Sequence, residues 1–275
     1  MVRQTRATGR PGLSVVVPAW NEAERIEACL HELHGSLAHL RPEVVVVDDG
    51  SSDGTAELAA AWIARHPECD AHVLSIPHGG KGRAVHAGVR RTRGDDVAYI
   101  DADMDISATE IERLLRCRDA LGADVVVGSK RSLAWHELPR PLFRRVISVS
   151  FSWLVARLFH LPVRDTQTGV KLFSGRWLRA AVPYAQVSGY LFDVELLASA
   201  AADGLNVVEV PVAVTMRRRA SRIGLGDCLC CLVELGAVVR SVGRGRTRHH
   251  PRRIRAAHLP RHLERHGPAV GHGVR

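Results

Sequence analysis

The sequence predicts an α/β protein built on a doubly wound, mostly parallel β-sheet flanked by helices. Three observations carry that prediction. Apolar, β-branched runs of strand length alternate four times with helical patterns along the first half of the chain, the order produced when a crossover helix follows each strand. The first run, Leu13 to Pro18, is apolar and β-branched, as expected of a strand covered on both faces. Each run ends in polar residues, and ligands of such sheets bind outside the carboxyl ends of the strands.

The first run is Leu13 to Pro18. Asn21 with Glu24 three residues on forms a capping-box pattern, which opens a helix running to about Leu37. Glu43 to Asp49 is the second strand, and Gly50-Ser51-Ser52-Asp53-Gly54-Thr55 supplies turn and cap before the next helix. His72 to Ile76 is the third, followed by Gly79-Gly80-Lys81-Gly82 and a helix to about Thr92. Val97 begins the fourth, the pattern Ser107-Ala108-Thr109-Glu110 opens another helix, and Asp124 to Val127 is the fifth strand.

The fourth strand ends in Asp101, Asp103 and Asp105. If the chain stays extended, residues at i, i+2 and i+4 share a face and the three carboxylates converge. Such a group raises its own pKa values unless a cation sits among them. Oxygen ligands suit Mg2+ or Mn2+, and Mg2+ is held by one or two carboxylates plus substrate phosphates, so the missing ligands point to a phosphorylated substrate. The alternative is a solvated acidic turn.

At 275 residues the chain is long enough for one large domain. Its net charge of +9 suggests nucleic acid until it is located: Gly243 to Arg275 holds nine Arg, no Lys and one acid, Glu264, and so accounts for +8. The body is nearly neutral. The basic tail, residues 243–275, has too few apolar residues to fold and is expected to be disordered, either touching an anionic surface or merely solvated. Residues 1–12 are expected to be flexible, with one domain over 13–242. The six cysteines show no disulfide framework, and Cys228, Cys230 and Cys231 lie in an apolar helical pattern that reads as core. No apolar segment follows Arg3, Arg6 and Arg10 before the first strand, so the expectation is a cytoplasmic protein.

The glycine loop excludes two nucleotide-binding patterns. Gly79-Gly80-Lys81-Gly82-Arg83 does not match G-x-x-x-x-G-K-[ST], and it follows the third strand rather than the first. What the residues do resemble is a family. Val16-Val17-Pro18-Ala19-Trp20-Asn21-Glu22, Val46-Val47-Asp48-Asp49-Gly50-Ser51-Ser52-Asp53-Gly54-Thr55, Gly80-Lys81-Gly82-x-Ala84 and Asp101-Ala102-Asp103 resemble, in order and spacing, the GT-A fold glycosyltransferases of family 2. Asp165-Thr166-Gln167-Thr168-Gly169-Val170-Lys171-Leu172-Phe173 and Phe192-Asp193-Val194-Glu195 narrow the resemblance to the dolichyl-phosphate glucosyltransferase and polyprenyl-phosphate hexosyltransferase branch. It covers roughly residues 13–240, with a nucleotide-sugar half over 13–131 and an acceptor half over 132–242.

The resemblance implies that Pro18, Trp20, Glu22, Val47 and Asp49 line a pocket for base and ribose, with Asp49 accepting from a base N–H. It implies Asp103 as principal metal ligand, Asp101 reaching metal or ribose, and Ala102 kept small beside the nucleotide. Asp105 stands where relatives vary. Lys81 is placed to approach the diphosphate, the alternative being a solvated lysine. The acceptor in this branch is a lipid phosphate, already anionic, so cationic help replaces a general base. Lys130 and Arg131, with Arg217, Arg218, Arg219 and Arg222, are candidates for gripping it, and the family pattern favours Arg219. Asp165, Gln167, Lys171, Asp193 and Glu195 are candidate acceptor or sugar contacts, with a helix-start structural role open for Asp193 and Glu195.

Leu142 to Leu161 and Ile223 to Val239 read as amphipathic helices too charged or too short to span a bilayer. Each suits either the membrane interface or the core. The expected function is inverting, metal-dependent transfer of a hexose from a nucleotide sugar, UDP-glucose ahead of GDP-mannose, to a polyprenyl phosphate at the cytoplasmic membrane surface. The alternatives are a soluble or protein acceptor, and a non-enzymatic protein binding anionic surfaces or nucleic acid.

Overall fold

The computed structural model describes residues 11–130, 153–163, 165–189, 191–214 and 234–242. In chain order these form β1 (Leu13–Ala19), α1 (Ile26–Leu37), β2 (Glu43–Asp48), α2 (Thr55–Arg65), β3 (Ala71–Ser75), α3 (Lys81–Arg91), β4 (Asp96–Ile100), α4 (Thr109–Leu121) and β5 (Val125–Ser129). There follow α5 (153–159), β6 (Val170–Ser174), α6 (Gly175–Ala181), α7 (Phe192–Ala202), β7 (Val207–Pro211) and α8 (234–242). The seven strands form one sheet in the order β3-β2-β1-β4-β6-β5-β7.

The mostly parallel sheet matches the expectation, with one insertion that the apolar pattern did not disclose. β6 runs antiparallel to both β4 and β5, while the other neighbours are parallel. β6 and β7 escape the pattern because Lys171 and Glu209 interrupt their apolar runs. Lys171 is nevertheless fully buried, since it has found partners that a solvated lysine would not need.

Alternate residues of the strands feed two cores. Val15 and Val17 of β1 pack with α1, α2 and α4. Val16, Val45 and Val47 pack with α3, α6 and α7, and with Val155 of α5 and Val238 of α8. Burying a valine of this kind contributes about 1.5–3 kcal/mol, so these two layers hold the sheet. α3 lies especially close at Gly88, where a β-carbon would stand 2.4 Å from Val16 Cγ1.

The two expected capping boxes do not form. Asn21 adopts φ 52° in the left-handed region and accepts from the Ser52 N–H, so α1 starts only at Ile26. Glu110 is buried and pairs with Arg113 and the Ala213 N–H instead of reaching back to Ser107. In both places a long-range partner outcompetes the local cap. Among the described residues no helix is long and apolar enough to cross a membrane. The expected helices over Leu142–Leu161 and Ile223–Val239 are described only from 153 and from 234, and the tail over 243–275 lies outside the described residues.

His86 on α3 is half-buried with an unpartnered Nε2, beside the edge of Phe192. Burial, reinforced by Arg90 and opposed by Asp193, pushes its pKa from 6.5 down to about 4. Between those values the unfolded chain takes up a proton that the folded chain refuses, so stability falls as the pH drops through 6.5 toward 4. The gap of about 2.5 pH units corresponds at most to about 3 kcal/mol, less with solvent screening. A His86→Leu variant is expected to show a shallower fall of Tm between pH 7 and pH 4.5; an unchanged slope in thermal melts would contradict this assignment.

Candidate functional site

Three loops at the carboxyl edge of β1, β2 and β3 are tied by the residues of the segment 48–55. Asp48 accepts from the Ser51 N–H at 3.3 Å, closing the turn after β2. Ser51 Oγ, Asp53 and Thr55 Oγ1 then accept backbone N–H groups of Asn21, Ala23 and Glu22 at 2.9–3.0 Å, which fixes the loop after β1. Asp49 turns the other way. Its two oxygens accept the N–H groups of Gly79 and Gly80 at 2.9 and 2.8 Å, and His78 Nδ1 lies 2.9 Å from the same carboxylate. One side-chain carboxylate thus sets the glycine loop that starts α3 at Lys81.

Trp20 is 41% exposed, and its ring stacks on His78 at 4.6 Å with 25° between planes. This presents a flat aromatic surface at the rim. Pro18 and Val47 are buried beneath it in the sheet, and Glu22 is buried against Arg25 at 3.3 Å. Of the residues expected to line a base pocket, Trp20 offers the open surface, while Asp49 holds protein backbone. His78 did not stand out in the sequence; its place just before Gly79-Gly80 is the signal that was there to be read.

β4 stops at Ile100, so the three aspartates lie on a turn and not on extended strand, which corrects the geometry expected of them. Alternation survives all the same: Ala102, Met104 and Ile106 point into the core while Asp101, Asp103 and Asp105 stay half-buried. Met104 at φ 56° makes the bend, and the Asp105 N–H donates to Asp103 Oδ1 at 3.2 Å. The three carboxylates border a cavity of about 10 Å3 with Ile100, Ile106, Lys130 and Gly169, room for one water or one ion. Their oxygens do not all lie within 4.8 Å of one another.

Lys81 Nζ pairs with Asp101 Oδ1 at 2.5 Å, both side chains one-third exposed. Burial alone would lower the Lys81 pKa, but Asp101, Asp193 and Asp103 together hold it above the usual lysine value. Burial and the neighbouring Asp101 charge push the Asp103 carboxyl up, against the help of the Asp105 N–H. The turn therefore carries more negative charge than its surroundings neutralise. Its donor set is oxygen only, which suits a hard divalent ion held by one or two carboxylates and completed by phosphate oxygens.

On the other side of the turn, Asp165 braces the loops. It accepts the N–H groups of Lys130 at 3.0 Å and Gln167 at 3.3 Å, and Gln167 itself is exposed. Lys171, Asp193 and Glu195, the candidate acceptor or sugar contacts, are buried. Lys171 Nζ lies 2.9 Å from Asp193 Oδ1 and donates to Thr168 O at 2.7 Å, and the Tyr99 hydroxyl donates to the same Asp193 oxygen. Glu195, 1% exposed, accepts the N–H groups of Gln186 and Val187. Tyr99, the third member of the buried group, carried no signal within its apolar strand. Arg131, Arg217, Arg218, Arg219 and Arg222 lie outside the described residues.

The family model described as glycosyl transferase family 2 matches residues 14–182. Among curated proteins, dolichyl-phosphate beta-glucosyltransferase of Trichomonas vaginalis is 35% identical over 210 residues, 72% of this chain and 62% of that protein. The enzyme of the same name from Drosophila melanogaster is 32% identical over 217 residues, 74% of this chain and 67% of that one. The chain thus spans roughly two-thirds of the length of these relatives. Among solved structures, glucosyl-3-phosphoglycerate synthase from Mycobacterium tuberculosis, in complex with Mn2+, uridine diphosphate and glucosyl-3-phosphoglycerate, is similar at a TM-score of 0.58 and 26% identity, covering 86% of this chain and 78% of that one. A mannosyltransferase from Pyrobaculum calidifontis in complex with GDP-Man and Mn2+ shares the fold at a TM-score of 0.52 and 23% identity, covering 76% of this chain and 59% of that one.

The buried pair beneath the site is testable by stability. Lys171→Met alone leaves the Asp193 charge uncompensated and is expected to cost about 3–5 kcal/mol in urea unfolding, whereas Lys171→Met with Asp193→Leu should recover most of it. A single variant costing under about 1 kcal/mol would return Lys171 to the list of exposed contacts.

Proposed function

The chain belongs to glycosyl transferase family 2, in the branch of the dolichyl-phosphate glucosyltransferases, and from that premise we propose that it transfers glucose from a nucleotide sugar to a polyprenyl phosphate. The observation that carries this reading is the under-neutralised carboxylate turn, Asp101 to Asp105, beside Lys81 and within the same rim as the Trp20–His78 stack. A diphosphate with its divalent ion meets the charges there, and a planar base meets the aromatic face.

In this reading Asp103, with Asp101, holds Mg2+ or Mn2+, which when bound neutralises charge on the departing nucleotide diphosphate. Trp20 and His78 orient the base. Lys81, exchanging Asp101 for a phosphate oxygen, adds positive charge on the diphosphate from the start of α3. Ala102, expected beside the nucleotide, packs into the core at 2% exposure and props the turn from beneath. Lys130, at the cavity edge, and Arg131, Arg217, Arg218, Arg219 and Arg222 are proposed to grip the acceptor phosphate. That phosphate is already ionised, so no side chain has to take a proton from it. Attack opposite the leaving group inverts the anomeric centre. Among the candidates, UDP-glucose is favoured over GDP-mannose by the relatives' names and by the uridine nucleotide bound to the synthase.

A membrane surface is supported by α5, where Val155 is buried in the core while Trp153, Leu154 and Leu158 are 65%, 44% and 45% exposed. Arranged in this way, the helix offers apolar groups at an interface without crossing it. We place the enzyme at the cytoplasmic face of the membrane. A second reading, transfer to a soluble phosphorylated acceptor, is favoured by the likeness to the synthase in complex with glucosyl-3-phosphoglycerate.

The test is incubation of the full chain with radiolabelled UDP-glucose, Mn2+ and dolichyl phosphate, followed by extraction into organic solvent. Label is expected in the organic phase, abolished by chelator and lowered roughly 100-fold or more by Asp103→Asn. Label that stays aqueous and moves onto 3-phosphoglycerate would select the second reading, and no transfer with any nucleotide sugar would sink both.

A further inference from the structure

At the opposite, amino edge of the sheet lies a second cluster of ligating side chains, none of which belongs to the site described above. His34 projects from α1, and Glu68 and Cys69 sit in the turn that leads from α2 into β3. That turn is tightly made: the Cys69 N–H donates to His66 O at 3.0 Å and the Ala71 N–H to Cys69 O at 2.9 Å. It presents two consecutive side chains to one imidazole. His34 Nδ1 stands 3.1 Å from Cys69 Sγ, and His34 Nε2 stands 3.8 Å from Glu68 Oε1. One ligating atom from each of the three residues falls within 4.8 Å of the others, the one such group among the described residues.

We infer that His34, Glu68 and Cys69 form a site for a thiophilic divalent transition metal of the zinc class, separate from the carboxylate turn. Ligand chemistry makes the choice of ion. A thiolate and an imidazole with one carboxylate suit Zn2+ or Co2+, whereas the oxygen-only set around Asp103 suits Mg2+ or Mn2+. Bond lengths of about 2.0–2.3 Å at tetrahedral angles put neighbouring ligand atoms about 3.5 Å apart. The Nδ1–Sγ pair already stands at 3.1 Å, while Glu68, 57% exposed, lies against the other ring nitrogen, so closure on Nδ1 needs the Glu68 side chain to swing round the ring edge.

The surroundings supply an anchored second layer. His66 Nδ1 lies 2.8 Å from Trp62 O, and because a carbonyl only accepts, that nitrogen carries the proton and Nε2 keeps its lone pair. The His66 ring stacks on Trp62 at 3.9 Å and stands 5.9 Å from His34, ring centre to ring centre. His66 or a water completes the fourth position. A bound ion ties α1 to the turn before β3, an amino-edge counterpart of the hydrogen-bonded lacing at the carboxyl edge, and works as a structural pin without touching the reaction.

Chelator-stripped full-length protein titrated with Co2+ reads this directly through the thiolate-to-cobalt charge-transfer band. The band is expected in the parent, in Asp103→Asn and in a Cys228→Ser, Cys230→Ser, Cys231→Ser variant. It should be lost in Cys69→Ser, and Co2+ binding should weaken roughly tenfold or more in His34→Gln. Circular dichroism on each variant establishes that it has folded, and His34→Gln keeps the test open if Cys69→Ser does not fold. A band that is absent from the parent, survives Cys69→Ser, or disappears with the 228–231 cysteines would overturn the inference.

Discussion

The position of the carboxylate turn depends on how closely Gly169 approaches Asp101. The Asp101 N–H donates to Gly169 O at 3.1 Å, continuing the antiparallel ladder of β4 and β6 one step past the end of β4. A β-carbon at 169 would stand 2.5 Å from Asp101 Oδ2, so only glycine leaves room for the carboxylate where it is. That contact explains why β6 runs against its neighbours: reversed, it delivers Gly169 to the carboxyl end of β4 and places Lys171 opposite Tyr99. Lys171 then meets Asp193 from α7, and the buried ionic group forms directly under the turn.

Around this junction the acidic residues divide into two kinds. Asp48, Asp49, Asp53, Asp165 and Glu195 spend their oxygens on backbone N–H groups, where a carboxylate, as pure acceptor, can satisfy two or more donors at once. They make loops rigid. Asp103, with Asp101 and Asp105 beside it, is held at higher energy by burial and like charge, and a group of that kind gains most from an incoming cation. Lys81 stands between the two populations, since Asp49 fixes the loop that carries it and Asp101 receives its charge.

Much of this was legible in the residues alone. Four of the five strands identified from the sequence, β1, β2, β4 and β5, are buried along their whole length, which leaves no polar alternation to confuse them, while β3 is only half-buried. The acidic end of β4 could be singled out as the centre of the candidate site for a local reason, its spacing. What could not be read locally was long-range. Lys171, Asp193 and Glu195 look like surface charges until β6 and α7 bring partners to them, and the capping patterns at Asn21 and Ser107 look sound until the Ser52 N–H takes the Asn21 side chain and Arg113 and the Ala213 N–H take Glu110. His78 became a candidate only when Asp49 drew its loop against Trp20. Local pattern fixes the elements, and the sheet order decides which of their polar residues face solvent, partner or ligand.

The central claim is that the turn at Asp103 binds a nucleotide sugar through a divalent ion. Isothermal titration of UDP-glucose into the full chain tests it most directly, performed with Mn2+, with chelator, and on Asp103→Asn with Mn2+. The account predicts saturable binding in the first case and its loss in the other two. Equal binding in all three, or none with Mn2+ present, would contradict it.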